Sequence, residues 1–277
     1  MAQNEYDSVL EEKWEQATLA NNFIFYKVMR NHPDACKHLL EILLKIQISH
    51  MEISQEEVID IDYNAKGIRL DVFVKEPAKM YDIEVQVTDT KELPERSRYY
   101  QGLMDLDSLK AGQNYKELKD SHVIFICMED IFKDELPIYT FENVCLENFK
   151  TKLNDRAIKH FFIAPNCAKL IKDEDVRDFF EFLISNKAST NYTTDLSRYV
   201  YEAKLNMQWR VQYMTWERVR TYAFEDGQEK GIAIGEKKKA IEAAKSFYSN
   251  GVSIELIAKS LNMSIEQVKD IVTEPAV

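Results

Sequence analysis

The sequence predicts an α/β protein with a helical C-terminal extension, and three observations predict it. Between Gly67 and Asp89, GIRLDVFVKEPAKMYDIEVQVTD, polar and β-branched residues alternate as they do on half-buried strands. His122–Met128 is a near-continuous apolar run, short enough for a buried central strand. Around these, and throughout the text after Pro165, apolar residues recur at helical spacing.

In chain order, residues 5–20 predict a Glu-rich exposed helix. Asn22–Arg30 follow with Phe23, Phe25, Tyr26, Val28 and Met29, which suit core packing. Pro33 and Asp34 are helix-start residues. Ala35–Ile48 then places Leu39, Leu40, Ile42, Leu43 and Ile46 at helical spacing, with Glu41 in their midst. Glu56–Tyr63, EEVIDIDY, reads as an acidic edge strand. Next comes the hairpin, with strands Ile68–Val74 and Tyr81–Val87 and a reversal at Lys75–Lys79 carrying Pro77.

Side chains alternate across a strand. Tyr81, Ile83, Val85 and Val87 therefore share one face, and Asp82, Glu84 and Gln86 the other. Asp71 shares a face with Arg69 and Phe73. Two readings stand side by side: the acids form a solvated face, or Asp71 and Glu84 converge across the hairpin to hold a hard cation.

Beyond the hairpin, Glu95–Leu109 predicts a helix. On it Arg96 and Tyr100 are four apart and share a face, and Arg98 and Gln101 lie on a neighbouring stripe. Either Arg96 or Arg98 clamps a phosphate, bidentate work that suits guanidinium, with Gln101 holding DNA or a catalytic acid. Alternatively these residues brace the helix on the sheet. Pro137–Cys145 and His160–Ala164 predict a further hairpin around the loop Leu146–Lys159. His122 and His160 each open a strand and are read as structural, and His32, His38 and His50 lack metal-ligand spacing.

After Pro165, Asp173–Ser185 predicts a helix, Asn186–Thr194 a polar linker, and Leu196–Ala223 one long amphipathic helix with Trp209 and Trp216 on one face. Gly227, Gly231 and Gly235 follow at every fourth residue in a charged setting, a helical connector or self-association seam. Lys237, Lys238 and Lys239 are the one concentrated basic run, either a solvated face or a backbone contact to DNA. Residues 240–274 read as helix, Gly251 turn, helix, Asn262 turn, helix, with Ser253 and Ser264 as N-caps. The third of these helices offers Gln267 and Lys269 but also Glu266 and Asp270, a poor major-groove surface. The divisions expected are 1–165, 166–239 and 240–277.

Composition narrows the function. A net charge of −11 over 277 residues opposes general affinity for nucleic acid, which needs cations to displace counterions, and leaves room only for a local basic strip. Cys36, Cys127, Cys145 and Cys167 are scattered and form no CxxC pair, against a zinc site or disulfide framework. No apolar run reaches the roughly 20 residues of a membrane helix, and the N-terminus lacks a secretory pattern, so the expectation is a cytoplasmic protein without membrane contact.

Asp71 followed by Glu84-Val85-Gln86 on adjacent strands resembles the PD-(D/E)XK nuclease superfamily, with Gln86 where Lys is commonest. Phe23-Ile24-Phe25-Tyr26-Lys27-Val28-Met29, Leu39-Leu40-Glu41-Ile42-Leu43, Lys66-Gly67-Ile68-Arg69-Leu70-Asp71-Val72 and Arg96-Ser97-Arg98-Tyr99-Tyr100-Gln101-Gly102 narrow the resemblance to the Rpn-type recombination-promoting nucleases, the transposase-like members of that superfamily. His122–Cys127 and Tyr139–Asn143 fit the same pattern, and the resemblance covers roughly residues 15–165.

It implies a mixed central sheet flanked by helices, with Asp71 and Glu84 on one edge. It implies a metal-dependent DNA endonuclease linked to recombination or mobile elements. Asp71, Glu84 and the Val85 carbonyl would bind Mg²⁺, or Mn²⁺ in its place, and Gln86 would orient a water or contact a phosphate. Glu41 would act as an auxiliary acid, although its place on the helix better suits a solvent-facing role. Arg96 and Tyr100 would lie toward the site. DNA is the expected partner, RNA is not separated from it, and the C-terminal helices are candidates for homo-oligomer contacts. A nuclease-fold binding module with little catalysis is the competing reading.

Overall fold

The computed structural model describes residues 3–54, 71–88 and 90–273. The strand expected at Glu56–Tyr63 and the first residues of the hairpin, 68–70, lie outside them.

Three helices open the chain: α1 (Gln3–Gln16), α2 (Asn22–Asn31) and α3 (Pro33–Leu44). The Asn21 side chain accepts from the amides of Phe23 and Ile24 and so starts α2. Pro33 sits in the first turn of α3, as expected. The helix stops at Lys45, which takes a left-handed conformation (φ 55°), so Ile46 and Ile48 lie beyond it.

The strands are β1 (Glu52–Ile53), β2 (Val72–Lys75), β3 (Lys79–Gln86), β4 (Asp120–Cys127), β5 (Ile138–Phe141) and β6 (Ala157–Ile163). Among the described residues they form one mixed sheet in the order β1-β2-β3-β4-β6-β5. β2 and β3 are the expected hairpin, closed by Glu76 N–H donating to the Lys79 carbonyl at 2.8 Å. β3 runs parallel to β4, and β4 to β6. Parallel neighbours need a crossover, and helix α4 (Leu93–Ser108) supplies the one between β3 and β4. β5 returns antiparallel on β6, the second expected hairpin.

The register sorts side chains into two faces. Phe73, Met80, Val123, Phe125, Cys127, Phe161 and Ile163 share one face and pack against Leu93, Tyr100 and Met104 of α4. On the other, Tyr81, Ile83, Ile124, Ile126 and Phe162 are fully buried. There the Phe162 ring stacks on Phe180 of α6 (Glu174–Ser185) at 6.0 Å. His122 and His160 also share that face, parallel with ring centroids 5.4 Å apart and Nδ1 to Nε2 at 3.1 Å. Burial lowers both to a pKa of about 4, so they are neutral bracing groups between neighbouring strands, in the structural role expected.

Two departures follow β6. Ala164–Leu170 forms a helix, α5, where none was expected. The expected single helix over Leu196–Ala223 is broken into α7 (Asn191–Leu205) and α8 (Met207–Ser249). The cause is Asn206, whose side chain accepts from the amides of Gln208 and Trp209 at 3.0 and 3.1 Å and so caps a new helix.

The chain divides into two compact units, residues 1–213 and 214–277, so that α5, α6 and α7 belong with the sheet. In the second unit, α9 (Ile254–Leu261) and α10 (Ile265–Thr273) pack Ile257, Ala258 and Val268 against Ala244 of α8. Gly251 (φ 83°) and Asn262 (φ 52°) make the two turns in left-handed conformations. The Ser253 and Ser264 hydroxyls accept from Leu256 and Gln267 amides, the expected caps. No helix of the described residues is long and apolar enough to cross a membrane.

Candidate functional site

The hairpin register sets the site. Val72 pairs with Ile83 and Phe73 with Asp82. One step beyond that ladder Asp71 stands opposite Glu84, and the Asp71 amide donates to Glu84 Oε1 at 3.1 Å. Asp82, Glu84 and Gln86 share the face of β3 that α4 covers. That face is not solvated. Asp82 is 0% and Glu84 3% exposed, so the acids are buried beside the apolar cluster beneath α4.

Arg96, on the first turns of α4, reaches this group. Its Nη2 pairs with Glu84 Oε2 at 3.0 Å, and its Nη1 donates to Gln86 Oε1 at 2.9 Å. Nε and Nη2 both donate to the Tyr100 hydroxyl, at 3.1 and 2.8 Å. The guanidinium lies over the rings of Tyr100 and Phe125, 5.3 and 5.6 Å from their centroids. The four-residue spacing of Arg96 and Tyr100 thus brings the expected pair together. In this arrangement Arg96 holds a carboxylate and an amide of its own chain. Gln86 is fixed at its other end by Nε2 donating to the Thr88 carbonyl at 2.7 Å.

Gln101 is buried and braces α4: its Nε2 donates to the Ser121 carbonyl and hydroxyl, both at 3.1 Å, and its Oε1 accepts from Lys159. Of the two roles weighed for it, the contacts are those of the brace. Arg98 is exposed on the outer side of α4. Glu41 is not brought to the group. It lies on α3, a neighbour of α2 and α6, and its Oε1 accepts from the Ile48 amide at 2.9 Å. The chain bends back after the Lys45 turn and gives this carboxylate a local backbone partner.

Val85 lies between the two acidic-face residues, and its backbone direction is fixed by the ladder. The Gln86 carbonyl accepts from Met128 of the β4 side at 2.9 Å. Successive carbonyls alternate in direction along a strand, so that of Val85 faces the β2 side, where Asp71 enters.

The electrostatics are those of crowded acids. Burial, then the charges of Asp71 and Asp82, push the Glu84 pKa well above the usual carboxylate range, against the pull of Arg96. Burial and Asp71 do the same to Asp82. Burial disfavours the Arg96 cation, but Tyr100 and Glu84 more than offset it and the guanidinium stays charged.

Asp82 is the residue that sequence reasoning missed. Its alternation with Glu84 was visible, but burial of both acids depends on α4 lying over them. Both Asp82 carboxylate oxygens are buried and meet no hydrogen-bond partner among the described residues.

A hard divalent cation takes oxygen donors and offsets concentrated negative charge. Asp71 and Glu84, opposite one another, with the Val85 carbonyl directed to the β2 side, offer oxygen donors of that kind. Among the described residues no group of three or more His, Cys, Asp or Glu side chains is placed to hold a metal ion. The four cysteines form no disulfide.

No match was found among curated proteins or among solved structures. A family model, PD-(D/E)XK nuclease family transposase, matches residues 22–227, from α2 through the sheet and into α8. With its mixed sheet, its Asp71–Glu84 pair and most of its length within that match, the chain belongs to the PD-(D/E)XK nuclease family transposases.

Proposed function

We propose that the chain is a metal-dependent DNA endonuclease, using Mg²⁺ or Mn²⁺, that hydrolyses phosphodiester bonds in recombination or mobile-element processing. One observation carries this reading: the hairpin register sets Asp71 opposite Glu84, with the Asp71 amide on Glu84 Oε1. Asp71, Glu84 and the Val85 carbonyl would hold the cation. When bound, such a cation supplies an acidified water and a counter-charge for phosphate oxygens.

The other residues position this pair. Arg96 fixes Glu84 and Gln86 together, and Tyr100 fixes Arg96. Gln86 cannot take a proton near neutral pH; its amide orients what lies beside Glu84. Gln101 anchors α4, and with it Arg96, to β4 and β6. Arg98, exposed on the same helix, is free to approach a phosphate. The net charge of −11 makes DNA binding weak and strongly salt-dependent unless a partner assists.

A second reading has one observation in its favour. Arg96 already neutralises Glu84, as a retired active site on a binding module would do. A substrate comparison tests both. Plasmid DNA and a structured RNA of similar length are incubated with the protein in Mg²⁺ and in EDTA. Cutting of DNA that EDTA stops is expected. DNA that is retained on the protein but left intact in every metal supports the binding module instead.

A further inference from the structure

β5 stands at one end of the strand order, with β6 on one side and no strand on the other among the described residues. The Ile163 amide donates to the Pro137 carbonyl at 2.9 Å, so Pro137, Tyr139 and Phe141 direct their backbone groups to β6. Ile138 and Thr140, between them, direct theirs outward. Proteins blunt such an edge with charges, bulges or a covering element. Ile138–Phe141, IYTF, carries no charge, and Ile138, Thr140 and Phe141 are exposed.

Phe141 leads into a two-stranded arm that extends the β5–β6 hairpin past the sheet. In it Val144 pairs with Lys152, the Cys145 amide donates to the Thr151 carbonyl at 2.8 Å, and the Leu153 amide to the Asn143 carbonyl at 2.9 Å. Asn148 Oδ1 accepts from the Lys150 and Thr151 amides and fixes the tip. The arm is ordered, yet it holds its apolar side chains in water. Leu146, Phe149 and Leu153 are 73%, 72% and 68% exposed, and Val144 is 37% exposed. With Ile138 and Phe141 these side chains present about 600 Å², the top of the range for a patch that a monomer leaves uncovered. That is a large share of the roughly 800 Å² each partner gives to a stable interface.

Charge selects the occupant. Residues 142–156 hold three acids, Glu142, Glu147 and Asp155, and three bases, Lys150, Lys152 and Arg156, in a chain of net charge −11. Lys152 pairs with Glu142, and Arg156 with Asp120. A balanced, internally paired segment offers little to a nucleic-acid backbone. It does let a second copy of the same acidic chain approach, because the excess negative charge lies elsewhere. Two identical edge strands also pair about a two-fold axis, which closes the assembly at a dimer.

We propose that β5 and the arm form a homodimer interface, in which the β5 strands of two copies pair antiparallel and join their six-stranded sheets into one. Ile138 of each copy stands opposite Thr140 of the other and exchanges both backbone hydrogen bonds with it, the register that uses every outward group. The arm of each copy then runs beside the turn that precedes β5 of the other, where Leu136 is half exposed. β4 and β6 stand between this edge and the β2–β3 hairpin, so the interface is independent of whether Asp71 and Glu84 serve in cleavage.

The test is sedimentation equilibrium of the full-length protein across micromolar concentrations, with amide exchange read on the same samples. Thr140→Pro removes an outward N–H and none that serves β6, a change an edge strand tolerates. Leu146→Glu/Phe149→Asn removes two exposed apolar side chains, and Asn suits the left-handed backbone of Phe149 (φ 52°). Both variants should keep the circular dichroism of the wild type. The wild type should sediment as a dimer, and each variant should weaken that dimer by about 10–100-fold. The Ile138 and Thr140 amides should exchange more slowly in concentrated than in dilute wild type. In Thr140→Pro the Ile138 amide should exchange fast at both concentrations.

A wild type that stays monomeric overturns the inference. So does a dimer that both variants leave intact while Ile138 and Thr140 exchange fast, since self-association then lies elsewhere. If Thr140→Pro fails to fold, the arm variant decides alone. Protection of residues 138–141 that arises only when duplex DNA is added would make this edge a nucleic-acid surface, and the dimer interface would be refuted.

Discussion

Removing Arg96 should expose how the acidic face is held together. Its partner Glu84 has a side chain only 4% exposed, whereas that of Arg96 is 28% exposed. In Arg96→Ala, Glu84 keeps the Asp71 amide but loses its cation, and Asp71 and Asp82 still press on it. Breaking a buried ion pair from one side costs about 3–5 kcal/mol. The partial exposure of Arg96 puts this pair at the lower end, about 3 kcal/mol. Restoring neutrality should recover much of that. In the double variant Arg96→Ala/Glu84→Gln no buried charge is stranded at position 84, so a double-mutant cycle should give a coupling of about 1–3 kcal/mol.

The assay is urea unfolding followed by circular dichroism at pH 7.5 without divalent metal, with slopes compared to check that each variant unfolds in one step. Acid should narrow the gap. The folded-state pKa of Glu84 lies above its ordinary value and rises further without Arg96. As pH falls through it the stranded charge is neutralised, and the penalty fades. A cost below about 0.5 kcal/mol, the level of an exposed pair, together with zero coupling, would refute the claim that Arg96 and Glu84 form a buried interaction.

Other parts of the structure yield further expectations. His122 and His160 are held neutral by burial, at about 4 against an ordinary 6.5. The unfolded chain therefore takes up protons first as pH falls, and between pH 7 and pH 5 the pair should lose about 1.5–2 kcal/mol of stability per ring. Denaturant titrations of the wild type and His160→Gln over that range should show a smaller loss in the variant; equal losses would contradict the assignment. Gln101→Ala strands Ser121 and Lys159 on the sheet, and should lower stability by about 1–3 kcal/mol in thermal or urea unfolding. Ser264→Ala removes the cap of α10 and should cost the C-terminal unit about 1 kcal/mol, seen as faster amide exchange in residues 265–273.

The sequence made the hairpin legible because its signals agree: alternation on both strands, a proline-bearing reversal and equal strand lengths. These left the convergence of Asp71 and Glu84 as one of two readings beside a solvated acidic face, because the register that sets them opposite one another is not written in either strand alone. Arg96 and Tyr100 were legible as a pair from their spacing on a helix. Their contacts were not, because they depend on where α4 crosses the sheet. The same missing fact made Asp82 unreadable. An acid alternating with Ile and Tyr looks solvated until a helix is laid over it. The parallel pairing of β3 with β4, and the strand order, are likewise long-range results that local patterns do not encode. Asn206 was overlooked for a local reason: amphipathic spacing runs through it, and a single capping side chain outweighed that spacing.

The most direct measurement is a cleavage time course on supercoiled plasmid at low salt, comparing the wild type with Asp71→Ala/Glu84→Ala in Mg²⁺, Mn²⁺, Ca²⁺ and EDTA. A metal-dependent nuclease that works through Asp71 and Glu84 should nick or linearise the plasmid in Mg²⁺ or Mn²⁺, be stopped by EDTA and lose this activity in the double variant while its fold is kept. Cleavage that survives in the double variant, or a well-folded wild type that cuts in no metal, would contradict it.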